Sequence, residues 1–394
     1  MGSAGATRRR LLYVDVKWPT PQADASSQRT IQLIDALVGE GFAVDLAAMF
    51  ESPVPVADDP LGDAGSEQSA AHIPPLGGGR MVNTRGEEEM AAYVRARGSE
   101  YDAVVLAWTR VASGLMPVLY ELEPRPLICF DTNDVNHVRE YRHARVSGNA
   151  NILRRALAMK QAELAAAARS DLVIAISEAD AAVFRAGAPT ARVEVITLAG
   201  PEPRDDAPGP AHREGAFYVG NFEAWPNIDA MEHLIGDILP AIRDERPEFG
   251  LSIAGSGRPG LLDALAGPGV EILGYVPDLR ASFDAARMFL VPLRAGSGIK
   301  GKVLNAMANG LPVVATPVAV EGMELRHGVD CLIADSAAGL ARAALSLAGD
   351  DELWSRLQRE ALRTVGARFG MAAVREQAAR AFRPLLSGAR LASP

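Results

Sequence analysis

The chain has 394 residues, and a length of this size predicts about two domains rather than one. Hydrophobic residues make up 48% and charged residues 23%, which is typical of a folded globular protein and excludes a largely disordered or fibrous one. The formal net charge is −9, so we expect no binding to nucleic acid, and any bound anion must be held by a local cluster of cations.

Short apolar runs alternate with amphipathic helical stretches through the first half of the chain. The runs occupy residues 11–16, 43–48, 103–107, 127–130, 172–176 and 193–196. This alternation predicts a parallel β-sheet flanked by helices. The first run is too short for a secretory signal or a membrane span and contains Asp15, so we expect a cytoplasmic protein without an integral membrane segment.

Residues 197–215 are rich in Pro, Gly and charged residues, and this composition predicts a linker. The alternation then resumes with apolar runs at 216–219, 251–254, 270–273, 288–291, 313–315 and 331–333. We predict an α/β protein of two Rossmann-like, doubly wound parallel-sheet domains that face a central cleft. The expected boundaries are 1–205 for the first domain, 206–370 for the second domain, and 371–394 for a C-terminal helix that crosses back to the first domain.

Two glycine-rich loops, residues 255–260 and 296–301, match the pattern GxGxxG. Neither opens its domain, which argues against a dinucleotide cofactor, and no lysine lies in a P-loop pattern. In the second loop the glycines let the backbone approach a diphosphate, and Lys300 and Lys302 add positive charge beside the start of a helix. The loop therefore predicts a diphosphate site, with a solvated lysine pair as the alternative interpretation.

The stretch GSGIKGKVLNAMANGLPVVATPVAVEGM, residues 296–323, resembles the donor-site signature of glycosyltransferase family 4, whose members have the GT-B fold. The resemblance implies that Lys300 and Lys302 contact the diphosphate of a nucleotide sugar. The two glutamates of the family signature correspond here to Ser297 and Asn305. An amide therefore stands where the family has a carboxylate that grips the ribose, and its hydrogen bonds are weaker without the charge.

Other segments resemble the same donor domain. They are FYVGNFEAW at 217–225, LSIAGSG at 251–257, GYVPD at 274–278, which matches the base pocket, and the Glu-Gly pair at 321–322. The alternatives are turn positions for the glycines and a surface acid at 321. The donor-binding residues that the resemblance implies are Gly220, Asn221, Gly255, Ser256, Val276, Ser297, Gly298, Ile299, Lys300, Lys302, Asn305 and Glu321.

Polar residues follow the apolar run at 127–130, at the expected carboxyl end of a strand. Asp131 and Asp134 could orient an acceptor hydroxyl or accept its proton, although Asp131 could instead cap the next segment. The segment resembles the family's DTxDxH motif, and aligning it on the following Arg-Glu pair puts Asn136, rather than His137, at the histidine position. Asp131, Asp134, His137 and Lys300 are the expected catalytic residues.

The acceptor-binding candidates lie in three places in the first half. Ser27 and Arg29 end a loop that resembles the family's loop after its first strand, where a helix cap and an exposed arginine are the alternative. Trp108 follows another apolar run, where a core position is equally compatible, and Asn136 belongs to the motif above. No strong basic or amphipathic docking surface is evident in this half, which favours a soluble small-molecule or saccharide acceptor.

The resemblance implies a retaining glycosyltransferase that moves a sugar from a nucleotide-diphosphate donor to a hydroxyl or amine. The departing diphosphate would take the acceptor proton, so no protein nucleophile, cofactor or metal is expected. The amide at 305 leaves a second interpretation, a catalytically weak sugar-nucleotide-binding subunit or scaffold, and a sugar-nucleotide epimerase is a third. The sequence indicates no particular oligomeric state.

Overall fold

The protein, seen as a computed structural model, is described here for residues 8–20, 24–50, 74–257, 260 and 262–386. The chain forms two compact units. The first comprises Met1–His137, Leu157–Ala199 and Met371–Pro394, and the second comprises Val138–Ala156 and Gly200–Gly370. The main chain passes between the units at four points, and one of them, between Ala199 and Gly200, lies within the stretch that the sequence predicts to be a linker.

The first unit is built on seven parallel strands. In chain order these are β1 (Arg10–Asp15), β2 (Ala43–Ala48), β3 (Met81–Val82), β4 (Ala103–Ala107), β5 (Leu127–Asp131), β6 (Leu172–Ala175) and β7 (Val193–Val195). Their order across the sheet is β3-β2-β1-β4-β5-β6-β7. Most residues of β1, β4 and β5 are buried, which explains why these strands read as continuous apolar runs rather than as alternating patterns.

The second unit contains a parallel sheet of six strands. They are β8 (Glu214–Val219), β9 (Leu251–Ala254), β10 (Val270–Gly274), β11 (Ala286–Val291), β12 (Val313–Ala315) and β13 (Leu332–Ile333). The order across this sheet is β10-β9-β8-β11-β12-β13. The predicted pair of parallel-sheet α/β domains is therefore confirmed.

Thirteen α-helices flank the two sheets in the described part of the chain. They are α1 (Ala25–Gly39), α2 (Gly86–Arg97), α3 (Trp108–Tyr120), α4 (Asn136–Ser147), α5 (Ala150–Ala168), α6 (Glu178–Gly187), α7 (Trp225–His233), α8 (Leu239–Arg243), α9 (Arg280–Ala285), α10 (Gly301–Ala308), α11 (Ala337–Gly349), α12 (Asp351–Arg368) and α13 (Met371–Leu386). None of the described helices is long and apolar enough to cross a membrane.

Helix α1 shows how the sequence sets local structure in the first unit. The side chain of Asp24 accepts a hydrogen bond from the Ser27 backbone N–H at 2.8 Å and so caps the helix. Leu33, Ile34 and Leu37, spaced for one helical face, are fully buried. The C-terminal helix α13 packs in the same core, where the ring of Phe382 meets that of Phe42 edge-on at 6.0 Å.

Strand order and register bring particular loops together at the carboxyl edges. In the first sheet the order reverses between β1 and β4, and Ala107 of β4 lies opposite Asp131 of β5. In the second sheet the reversal falls between β8 and β11, and Val219 lies opposite Ala254. Open α/β sheets bind ligands at such reversal points, so the loops after these strands are where a site is expected.

Candidate functional site

Lys302 lies in the first turn of α10 and reaches the loop after β8. Its Nζ donates hydrogen bonds to Tyr218 Oη at 2.9 Å and to Asn227 Oδ1 at 2.6 Å. Nζ also lies 4.4 Å from the centroid of the Tyr218 ring. A Cβ at position 220 would lie 3.1 Å from Nζ, so Gly220 leaves the space that the lysine head occupies.

The electrostatic state of Lys302 is unusual. Burial lowers the pKa of its ammonium group to about 7, and the nearby charge of Lys300 acts in the same direction. An anion placed beside it would favour the charged form and raise that pKa again. The Lys302 amino group is therefore held by neutral partners, and its uncharged form would gain a proton if a phosphate bound beside it.

Lys300 closes the glycine-rich loop on itself. Its Nζ donates to the backbone carbonyls of Ser297 at 3.0 Å and Gly298 at 2.6 Å. Gly296 has a φ of +147° and Gly298 one of +66°, conformations that side-chain-bearing residues rarely adopt. The hydroxyl of Ser297 is buried and has no hydrogen-bond partner among the residues that the structure describes. The loop thus holds a polar atom and an ammonium group close to the start of α10.

Glu321 is tied to the same loop through Arg142. The two side chains form a bidentate pair with both N···O distances at 2.6 Å, and Arg142 Nη1 also donates to the Gly296 carbonyl at 2.6 Å. Burial alone would raise the pKa of Glu321, but the hydrogen bond and charge of Arg142, with the charge of Lys300, hold it below its usual value. Glu321 is therefore a carboxylate that is already paired.

Sequence reasoning missed Arg142 because it lies on α4, far along the chain from the loop that it contacts. Its segment, Val138–Ala156, belongs to the second unit although the residues on either side belong to the first. Also on this segment, the ring of His143 stacks on that of Trp225 with centroids 3.7 Å apart and 19° between the planes. Burial lowers the pKa of His143, despite the opposing charge of Glu140.

The loop after β9 contacts the loop after β8 through backbone atoms. Gly255 has a φ of +141°, and a Cβ there would lie 1.8 Å from the carbonyl oxygen of Gly220. The Ser256 carbonyl accepts a hydrogen bond from the Phe222 N–H at 2.7 Å. The Asn221 side chain accepts from the Glu223 N–H at 2.9 Å and so shapes the same turn. The predicted residues 220, 221, 255 and 256 are thus brought together.

Three further predicted donor residues differ in setting. Asn305 Oδ1 accepts a hydrogen bond at 2.9 Å from Nδ2 of Asn309, the residue that follows α10, so this oxygen is already engaged. Ile299 lies within the glycine-rich loop and is buried, at 7% exposure. Val276 is half-buried in the loop after β10.

In the first unit the polar residues converge on Asp131. Its carboxylate accepts hydrogen bonds from Arg29 Nη2 at 2.7 Å and Tyr13 Oη at 2.9 Å, and both Asp131 and Arg29 are almost wholly buried. Asp15 ends strand β1, which β4 separates from β5. Burial raises the pKa of Asp15 to about 6, although hydrogen bonds from Thr30 and Val16 oppose that rise. Two carboxyl groups and one guanidinium thus share a buried edge of the sheet.

Several buried polar atoms at this edge have no hydrogen-bond partner in the described chain. They are Nε and Nη1 of Arg29, Oγ of Ser27, Nε1 of Trp108, and both Oδ1 and Nδ2 of Asn133. Trp108 and Asn133 have φ angles of 72° and 57°, so the backbone is held in an uncommon conformation at both. Buried polar groups are normally paired, and a set of donors and acceptors at one edge is suited to a polar ligand.

His137 and Asn136 lie at the start of α4 beside the buried Glu163. The Glu163 carboxylate accepts from the backbone N–H groups of Asn136 at 2.9 Å and His137 at 3.4 Å, and it lies 2.5 Å from His137 Nδ1. A carboxylate in this position fixes the orientation of an imidazole ring. Asp134 is half-buried in the preceding turn. No group of His, Cys, Asp and Glu side chains in the described ranges is arranged to hold a metal ion.

Comparison with known proteins finds a family match in the second half of the chain. Residues 213–350 match the family model described as Glycosyl transferases group 1. A protein of Klebsiella pneumoniae, known as an uncharacterized 44.6 kDa protein in the cps region, is 29% identical over 133 residues. That match covers 32% of this chain and 34% of the Klebsiella protein, so it spans about a third of the curated relative.

Solved structures resemble the chain over almost its whole length. Sucrose-phosphate synthase from Thermosynechococcus elongatus has a TM-score of 0.72 at 18% identity, covering 96% of this chain and 100% of that one. HepE from Anabaena in complex with UDP-glucose has a TM-score of 0.66 at 16% identity, covering 95% and 99%. A glycosyltransferase from Rickettsia africae has a TM-score of 0.65 at 12% identity, covering 97% and 100%. The likeness shows the fold, which is GT-B as predicted.

Proposed function

Because the chain has the GT-B fold and its residues 213–350 belong to the glycosyl transferases group 1 family, we propose that it is a retaining glycosyltransferase. It transfers a sugar from a nucleotide-diphosphate sugar to a hydroxyl or amine of an acceptor, and it works in the cytoplasm. The observation that carries this proposal is the placement of Lys300 and Lys302 beside a glycine-rich loop at the start of α10. The UDP-glucose complex of HepE supports the same donor class here.

The two lysines and α10 act on the leaving diphosphate. The first turn of the helix directs backbone N–H groups and the positive end of its dipole toward the loop, and the ammonium groups add two charges. Negative charge develops on the diphosphate oxygen as its bond to the anomeric carbon breaks. Cations fixed in advance at that point stabilise the transition state more than the bound donor, which is how they accelerate transfer without a metal ion.

The departing diphosphate oxygen also takes the proton of the acceptor. The acceptor oxygen forms its new bond on the face of the sugar that the diphosphate leaves, so the anomeric configuration is retained. No protein nucleophile enters this sequence. The required geometry is an acceptor hydroxyl held near the leaving oxygen.

In the first unit, we assign the acceptor to the partnerless polar atoms of Ser27, Arg29, Trp108 and Asn133. Their mixture of donors and acceptors suits a polyhydroxylated small molecule or saccharide. Both oxygens of Asp131 already accept hydrogen bonds, from Arg29 and Tyr13. Asp131 therefore positions Arg29 rather than removing a proton.

The donor site is tested by calorimetric titration of the metal-free protein with UDP, GDP, ADP and dTDP. We expect one of these to bind, and Lys300→Ala to weaken that binding by about tenfold or more, because a charge-assisted contact is lost. Lys160→Ala removes an exposed lysine on α5 and should bind like the wild type. Absence of binding to all four nucleotides would remove the diphosphate argument and with it the proposal.

A second candidate, a catalytically weak sugar-nucleotide-binding subunit, is favoured by one observation. Asn305 replaces the carboxylate of the family signature, and its oxygen is engaged by Asn309. Product analysis with the sugar form of the nucleotide that binds separates the two candidates. Sugar transferred to an acceptor supports the enzyme, unchanged donor supports the binding subunit, and an epimerised donor would indicate the third interpretation.

A further inference from the structure

Helices α4 and α5 and the turn between them expose an unusual number of large apolar side chains. In the described chain, six such residues are exposed, and four of them lie in this stretch: Tyr141 (47%), Val146 (36%), Leu153 (37%) and Leu157 (54%). Leu153 and Leu157 are one turn apart on α5 and so lie on one face of that helix. We call Tyr141, Arg145, Val146, Leu153, Arg154 and Leu157 the hairpin surface.

The same stretch is strongly basic, whereas the chain as a whole is acidic. Residues 138–156 contain five arginines and one glutamate, although the net charge of the protein is −9. Arg142 and Arg155 are paired with Glu321 and Glu140. Arg145 is exposed, and Arg154, whose side chain contacts Asn151, borders the exposed face that carries the two leucines. Exposed apolar side chains and arginines therefore lie on the same two helices.

We propose that the hairpin surface docks the protein on an anionic lipid bilayer. The apolar side chains would enter the boundary between headgroups and acyl chains, and the arginines would contact lipid phosphates. Acidic residues elsewhere oppose this little, because charges more than about 8 Å away are screened at physiological ionic strength.

Self-association through this surface is disfavoured by its charge. Two copies that met symmetrically here would bring two net-positive segments face to face, which costs free energy unless acids intervene. An anionic bilayer satisfies the apolar and the basic parts of the surface at once. The sequence predicted a soluble acceptor because no strong basic or amphipathic docking surface was evident in the first half of the chain. A measurement of vesicle binding therefore also tests that prediction.

Vesicle sedimentation tests the proposal without any donor or acceptor, so its failure is distinct from failure of the proposed function. The full chain is mixed with phosphatidylcholine vesicles that contain or lack phosphatidylglycerol. We expect binding to the anionic vesicles, no binding to the neutral ones, and release by high salt. Leu153→Glu with Leu157→Glu should weaken binding by about tenfold or more, because apolar area is replaced by charge.

A charge-reversal pair provides the matched comparison. Arg145→Glu with Arg154→Glu should also weaken binding by about tenfold or more. Arg356→Glu with Arg359→Glu makes the same change at exposed positions of α12 and should leave binding unaltered. Circular dichroism and nucleotide titration show whether each variant is folded.

Three results would overturn the proposal. They are equal binding to neutral and anionic vesicles, wild-type binding by both hairpin variants, and no vesicle binding by the wild type at low salt. In the last case sedimentation velocity shows whether the leucine variants dissociate a dimer, which would assign the surface to a second copy of the chain.

Discussion

At the scale of single residues, Lys302 is held by hydrogen bonds to Tyr218 and Asn227, and Lys300 by hydrogen bonds to the carbonyls of its own loop. Lys300 and Lys302 stand next to glycines and a helix start, and that combination indicates an anion site from sequence alone. Tyr218 and Asn227, which hold Lys302, were not predicted, since a tyrosine in a strand and an asparagine in a helix are common. Their role appears only when parallel strands bring β8 beside the loop after β11.

The lowered pKa of Lys302 leads to a prediction about pH. The free site loses its proton as pH rises through about 7, whereas a bound diphosphate keeps the lysine charged. Nucleotide affinity should therefore be highest near and below neutrality and fall by about tenfold or more between pH 7 and 9. Calorimetry at pH 8 in buffers of different ionisation enthalpy should show a proton taken up on binding.

Lys302→Arg is the informative control for this pH dependence. A guanidinium stays charged throughout this range, so the variant should bind with a nearly flat pH profile and take up no proton. Lys302→Gln should bind weakly at every pH. A wild-type affinity that stays constant from pH 7 to 9 would contradict the assigned protonation of Lys302.

At the scale of elements, the apolar runs located the buried strands well. The predicted runs 43–48, 103–107, 251–254 and 313–315 coincide with β2, β4, β9 and β12. The two-residue strand β3 was missed because so short a segment carries no periodic pattern. The exposed leucines of α5 were missed for a related reason, since an apolar residue at helical spacing is read as a core position.

The loop after β9 depends on a glycine whose role can be tested. Gly255→Ala would place a Cβ 1.8 Å from the Gly220 carbonyl, at a φ of +141°. We expect the free energy of unfolding to fall by about 2 kcal/mol or more and nucleotide affinity to drop, because the loops after β8 and β9 must separate. Chemical denaturation and calorimetry measure the two effects.

Gly236→Ala is the matched substitution in the same unit. Nothing lies within 4 Å of a Cβ at that position, which is in a helical turn. This variant should be neutral or slightly more stable, since alanine restricts the unfolded chain. Equal behaviour of the two glycine variants would show that the backbone contact at Gly255 has no energetic importance.

At the scale of the whole molecule, unit membership does not follow chain order. Residues 138–156 belong to the second unit, and the C-terminal helix α13 belongs to the first. The composition of the linker was visible in the sequence, but the membership of 138–156 depends on contacts such as Arg142 with Glu321, between residues far apart in the chain. A local sequence pattern carries no information about such long-range pairs. The apolar face of the C-terminal helix, in contrast, indicates from sequence alone that this helix packs against another element.

The place of α13 in the first unit leads to a prediction about stability. Phe382 of α13 is fully buried against Phe42, so Phe382→Ala should destabilise the first unit by about 3–5 kcal/mol although it lies near the end of the chain. The nucleotide that binds should retain its wild-type affinity, because its proposed contacts all lie in the second unit. Denaturant titration and calorimetry on the same samples measure both quantities.

Leu357→Ala on α12 supplies the opposite case, since Leu357 is fully buried in the second unit. Bound nucleotide stabilises only the part of the chain that binds it, so a saturating nucleotide should oppose the effect of Leu357→Ala more than that of Phe382→Ala. If Phe382→Ala lowered nucleotide affinity as strongly as Lys300→Ala, the two units would not be energetically separate. The two compact units would then not correspond to separate units of folding.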